Sequence, residues 1–240
     1  MTLIIILLSL LIGCILAPIA EKIKKGLSFY LSIISVLFAL VIAISIIYND
    51  IKSFTEIKDW IIDYNISWIP LIGANFHVSI DGFSYIMIIL TLLGILISFV
   101  YSDAKGNEGY YYFNSLLMTV GVVGIFMAND LFLFFVFWEM MLVPIYFLIV
   151  QHTKGNDNNT AFKFLLYTQL SGLFLFLSIA TLHFIYLKQT GLPTFEYSEL
   201  KNTILTLPVS IILMMGFVLG FGVKMPIIFV HGWLPSVFKD

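Results

Sequence analysis

Seven runs of mostly apolar residues, each about 20 long and closed by polar residues, dominate this chain, and a run of that length crosses a hydrocarbon core of about 30 Å as a helix. They cover 2–20, 28–48, 83–102, 111–129, 131–150, 163–187 and about 206–230. Inside lipid the backbone has no water to bond, so each continuous apolar run must satisfy its own N–H and C=O groups as a helix. Composition agrees, with 60% of the 240 residues hydrophobic and 11% charged, against roughly 25% charged in soluble domains. The expected fold class is an all-α polytopic membrane protein with about seven transmembrane helices. Its solvent and first partner is the lipid bilayer.

Residues 60–78 are only half apolar and contain Pro70 and Gly73, which suits an interfacial segment better than a crossing. Helix-end signals lie where the runs begin. Asp81-Gly82 can cap the third span and Asn129-Asp130 the fifth, and Pro208 can occupy the first turn of the seventh. Lysines set the orientation. Lys22, Lys24, Lys25, Lys105, Lys154, Lys163 and Lys239 fall on one side, and Lys52, Lys58, Lys188 and Lys201 on the other. The N-terminus is thereby expected outside a cytoplasmic (inner) membrane.

Other chemistries find no support. All basic residues are lysines, none clustered as in a nucleic-acid patch. The single cysteine, Cys14, excludes an internal disulfide and a multi-cysteine cluster within the chain. The four histidines have no haem or zinc spacing, and no phosphate loop, nucleophile triad or flavin motif is present. His152 and His183 read as loop or span-end residues, Asp81 and Asp130 as caps, and Tyr110, Tyr111 and Tyr112 as an interfacial aromatic belt.

Two charges remain well inside the spans, Glu139 and Lys224. A charge at the bilayer centre costs about 2.5–3.5 kcal/mol even on lenient scales, so each needs a partner or a wet cavity. Counted from Asp130, Glu139 lies about 13 Å deep, near the midplane. On straight helices Lys224 falls about 11 Å beyond that depth. Pro144 and Pro226 follow the two charges and are expected to free the carbonyls of Met140 and Gly222. Irregular backbone at membrane depth is tolerated where protein or water covers it, as at ion sites of transporters. Glu139 and Lys224 are therefore the candidate proton-transfer residues. His231, just past the seventh span, is a candidate relay because an unperturbed imidazole titrates near pH 6.5.

Four stretches carry a resemblance to a known family: "WIPLIGANFHVSIDGFSYIMIILT", "NDLFLFFVFWEMMLVPIYFLI", "KFLLYTQLSGLFLFL" and "GFVLGFGVKMPIIFVHGWLP". Over about residues 68–235 the chain resembles the antiporter-like proton-pumping membrane subunits of respiratory complex I, NADH:quinone oxidoreductase, in its subunit 4-like (chain M) branch. The resemblance implies that Glu139 is the family's glutamate of the fifth helix and Lys224 the lysine of its broken seventh helix. It implies proton translocation driven by electron transfer elsewhere, with the other membrane-arm subunits as partners. No cofactor is expected in this chain, with NADH, FMN, iron–sulfur clusters and quinone held by other subunits.

Family members continue after "WLP" with a second inverted repeat, so the chain is expected to be the N-terminal part, truncated after helix seven. It then divides at 1–130, four helices with the interfacial segment near 60–78, and 131–240, the first antiporter-like repeat. The same pair of charges also fits a multi-subunit cation/proton antiporter, or a remnant with a structural role only.

Overall fold

A computed structural model describes residues 1–49, 60–103, 108–152, 158–227 and 231–238. Among them, seven stretches are long and apolar enough to cross a membrane, running Thr2–Ile23, Leu27–Ile46, Gly82–Ser102, Gly109–Met127, Leu131–Gln151, Asn159–Thr190 and Leu207–Lys224. All seven coincide with the runs expected from the sequence, and the chain is a multi-pass membrane protein. Four of the loop lysines used for orientation, Lys52, Lys58, Lys105 and Lys154, and the final Lys239 lie outside the described residues.

The first unit comprises Met1–Tyr64 and Val78–Ala128. Its helices are α1 (Thr2–Ile23), α2 (Leu27–Asn49), α3 (Gly82–Asp103) and α4 (Gly109–Met127). Leu3, Ile6, Leu10, Cys14 and Ala17 line one stripe of α1, and Leu116, Val120, Val123 and Met127 one stripe of α4; all are fully buried. Such stripes at three- and four-residue spacing put one face of each helix into the packing and leave the other apolar. Ile12 on α1, Ile34 on α2 and Ile97 on α3 are more than half exposed, as lipid-facing residues are. The Asp81 carboxylate accepts from the Ser84 N–H at 2.7 Å and caps α3 as expected.

Tyr112 departs from the aromatic belt. It is 1% exposed and packs edge-on against Phe99 at 5.3 Å. Successive helical residues point about 100° apart, so three tyrosines in a row cannot all face the interface. Tyr110 is exposed.

The second unit comprises Asn65–His77 and Asn129–Asp240. Its helices are α5 (Leu131–Met140), α6 (Leu142–His152), α7 (Asn158–Thr190), α8 (Tyr197–Leu200), α9 (Leu207–Lys224) and α10 (Leu234–Phe238). α7 is the central post, with α5, α6, α9 and α10 all packed on it. The fifth span is two helices, broken at Met141. Pro144 causes the break, since it brings no N–H to the ladder and its ring crowds the preceding turn. Asp130 accepts from the Leu133 N–H at 2.9 Å and caps α5, and Pro208 sits in the first turn of α9.

The stretch expected as an interfacial segment near 60–78 falls in a strand pair: β1 (Ile62–Ile69) with β2 (Ala74–Ile80), joined by a 3-10 turn at Pro70–Ile72. β1 reads Ile-Asp-Tyr-Asn-Ile-Ser-Trp-Ile, in which apolar and polar residues mostly alternate with the two-residue period of a strand. Gly73 closes the turn at φ 70°, a conformation that side chains rarely adopt. A Cβ there would also collide with the Pro193 carbonyl.

Candidate functional site

The α5–α6 break and the end of α9 bring the two intramembrane charges to adjoining backbone. Glu139 is the second-last residue of α5 and half-buried. Its carboxylate lies over Gly172 in the middle of α7, so close that a Cβ on Gly172 would clash with Oε1, with the carboxyl carbon 3.0 Å and Oε2 3.4 Å from that point. Gly172 is thus the floor under Glu139. The sequence marks it only as one glycine in an apolar helix.

Lys224, half-buried at the last turn of α9, donates from Nζ to the main-chain carbonyl of Trp138 at 2.8 Å. The same ammonium stands 3.9 Å from the centroid of the Trp138 ring. The depth offset expected on straight helices is therefore closed, in part by the four-carbon stem of the lysine. No ion pair joins Glu139 to Lys224 among the described residues. The cation is held by the residue next to the carboxylate in sequence.

One of the two carbonyls expected to be freed differs from the expectation. Gly222 is not left open, because the Ile227 N–H reaches back five residues to its carbonyl at 2.9 Å. The Val223 carbonyl takes the Trp233 indole N–H at 2.9 Å. The wide turn after Lys224 lets the first non-proline N–H beyond Pro226 do the work that Pro226 cannot. The helix ends at Lys224 instead of running on to 230, and residues 228–230 lie outside the described set. His231 follows, exposed, with its carbonyl accepting from the Leu234 N–H at 2.9 Å. Among the described residues no hydrogen bond ties its ring to Glu139 or Lys224.

A second polar group lies outside the spans. Glu196 Oε2 pairs with His77 Nδ1 at 2.5 Å, and its Oε1 accepts from Asn75 at 2.9 Å and Asn65 at 3.0 Å. Burial pushes the Glu196 carboxyl up, but His77, Asn75 and Asn65 together hold it below the usual carboxylate range. Asp130, fully buried, accepts from the Asn75 N–H at 3.0 Å in addition to capping α5. Burial, aided by the Glu196 charge, keeps its carboxyl above the usual range despite these bonds. His183 donates from Nδ1 to the Thr194 carbonyl at 2.7 Å and stacks on Phe195 at 4.1 Å. In the sequence Asp130 and His183 carry only the signals of an end cap and a span-end residue, and Glu196 carries none. Among the described residues no group of three or more His, Cys, Asp and Glu side chains could hold a metal ion.

Comparison with known proteins places this geometry. Residues 128–240 match the transmembrane family described as NADH:quinone oxidoreductase/Mrp antiporter. NADH-quinone oxidoreductase subunit M of Escherichia coli strain K12 is 42% identical over 191 residues, which is 77% of this chain and 38% of that protein. Subunit M of Pseudomonas aeruginosa is 37% identical over 237 residues, 94% of this chain and 47% of that one. The chain therefore spans less than half the length of these curated relatives. Its fold matches a chain of respiratory complex I from Thermus thermophilus with TM-score 0.80 at 21% identity, over 99% of this chain and 46% of that chain. It also matches a chain of the Mrp complex from Dietzia, with TM-score 0.79 at 19% identity, over 99% and 25%. With these similarities along nearly its whole length, the chain belongs to the antiporter-like membrane subunits shared by NADH:quinone oxidoreductases and Mrp antiporters.

Proposed function

We propose that this chain is part of a membrane-arm subunit of a proton-translocating NADH:quinone oxidoreductase, in which Glu139 and Lys224 pass protons and the redox chemistry belongs to other subunits. One observation carries the reading. The Lys224 ammonium is held at 2.8 Å on the carbonyl of Trp138, the residue before Glu139, at a break in the fifth span. An opposite charge close by favours the charged form of either group, so a change at one is felt at the other. A displacement of charge driven by electron transfer in neighbouring subunits then alters which of the two holds a proton. The printed names of relatives such as NADH-quinone oxidoreductase subunit M support the quinone oxidoreductase assignment and the companion subunits; an inner membrane with the N-terminus outside belongs to the same proposal. His231, exposed beyond α9, serves in this reading as the relay for protons leaving the pair.

The deciding variant is Glu139→Gln in the assembled complex, with NADH-driven acidification followed in membrane vesicles by a pH-sensitive dye. Pumping is expected to be lost while the complex assembles in normal amount. Undiminished acidification would refute the assignment. The family model and the fold likeness to an Mrp complex keep a cation/proton antiporter as the second reading. Cation-dependent proton exchange in vesicles without NADH distinguishes it.

A further inference from the structure

Trp138 gives Lys224 more than a carbonyl. Its indole face is turned to the ammonium, 3.9 Å from ring centroid to Nζ, while its main-chain oxygen accepts from the same nitrogen at 2.8 Å. A cation over an aromatic face is attracted by the ring quadrupole, most for tryptophan and most where water is excluded. Trp138 is 8% exposed and two other rings fix the place of its indole. Phe221, three residues before Lys224 on α9, meets it edge-on at 5.3 Å and 87°. Phe134, one turn earlier on α5, stacks on it at 5.8 Å, and Phe134 and Phe221 themselves touch edge-on at 6.1 Å. The cradle is thus built by the two helices that carry the charged pair. Turning the indole away would require repacking both phenylalanines.

We propose that Trp138 is a positioning residue for Lys224, its ring face and carbonyl together holding the ammonium next to Glu139 without an ion pair. This rests on the reading of Glu139 and Lys224 given above. The ring distinguishes the two states of the lysine. A charged ammonium is drawn to the π face, whereas a neutral amine keeps only the carbonyl bond and its flexible stem is free to leave. Charge state and position of the lysine are thereby coupled, and the Glu139 carboxylate acts on a cation whose place is set by its own neighbour. A lysine that needed only cover would be served equally well by an aliphatic wall.

The test compares Trp138→Leu with Trp138→Phe in the assembled complex. Three quantities are read: the amount of complex, protons pumped per NADH oxidised, and the rate at which a small amine-reactive reagent modifies Lys224, followed by mass spectrometry. The carbonyl bond is main-chain and survives both changes, so the comparison isolates the ring. Trp138→Leu is expected to assemble, to raise the labelling rate roughly 3- to 30-fold, and to pump fewer protons per NADH. Trp138→Phe, which keeps a π face, should bring both values back toward wild type. Labelling and pumping both at wild-type values in Trp138→Leu would overturn the proposal, even where Glu139→Gln abolishes pumping. Normal pumping in Glu139→Gln would remove the reading underneath, and the labelling rate would then decide the cradle by itself. Should the leucine variant fail to assemble, Trp138→Met takes its place under the same criteria.

Discussion

Gly172→Ala separates the position of Glu139 from the stability of the fold. The added methyl would clash with Glu139 Oε1 and lie 3.0 Å from the carboxyl carbon, well inside the roughly 3.5–4.0 Å at which carbon atoms rest. What must yield is the far end of a flexible side chain, not backbone, so the fold should tolerate the change. Alanine in place of a mid-helix glycine contributes about 0.5–1 kcal/mol, which offsets part of a local overpacking cost of about 1–3 kcal/mol. The net effect on stability is expected to be a loss of no more than about 2.5 kcal/mol. The carboxylate, however, must swing away from α7 by about 1 Å, and a misplacement of that size can cost roughly a hundredfold in a reaction that depends on alignment. Acidification by vesicles should therefore fall at least tenfold while native electrophoresis shows normal assembly. Gly216→Ala is the control. It drives a methyl into Ser178 Oγ, again a side-chain end on α7, without touching Glu139, and its pumping should stay near wild type. If Gly172→Ala pumps like wild type, or if both variants lose pumping equally, the close approach of Glu139 to Gly172 has no functional meaning.

The polar cluster and the turn after Lys224 each give a further test. The folded-state pKa of Glu196 lies below the usual carboxylate range because His77, Asn75 and Asn65 outweigh the effect of burial. Its contribution is therefore present above the unfolded value of about 4.3 and is lost as pH falls through the folded one. Glu196→Gln should melt lower than wild type at pH 7 in detergent, with the gap closing below about pH 4; a gap independent of pH would contradict the linkage. Trp233→Phe removes the donor to the Val223 carbonyl at a cost of about 1 kcal/mol. Faster hydrogen exchange at the Ile227 N–H is the expected sign, and unchanged protection would show that the turn holds without the indole.

The spans were legible because lipid leaves the backbone one option, and a continuous apolar run announces that option directly. Caps at Asp81 and Asp130 were legible for a similar reason, since their signal is local. The strand pair was harder. A half-apolar stretch with Pro70 and Gly73 shows that no helix crosses there, but strand pairing depends on which residues meet across the turn and on the buried seat of β2. Asp130 was read as a cap and is one, yet its second bond, to Asn75, spans 55 positions and has no local signature. Glu196 and His77 are 119 positions apart and each is unremarkable alone. The cost of burying a charge, by contrast, singled out Glu139 and Lys224 from sequence, because that cost holds wherever the partner turns out to be.

What the cost argument could not supply is the kind of partner. It called for an opposite charge or water, and the structure answers with backbone and an aromatic face. That answer depends on the break at Met141. In an unbroken helix the Trp138 carbonyl would be directed at the N–H of residue 142, whereas here α5 stops at Met140 and α6 begins at Leu142, opening the last turn of α5 to an outside donor. Pro144 thus acts at a distance of six residues, by loosening the turn from which Lys224 takes its acceptor. The same proline leaves Glu139 on that turn, with its carboxylate packed over Gly172. A carboxylate held by hydrogen bonds on all sides could not change its proton cheaply, and neither could a lysine locked in a buried ion pair. A cation on a carbonyl and a ring, beside a carboxylate over a glycine, keeps both charges covered inside the membrane while leaving each free to respond to the other.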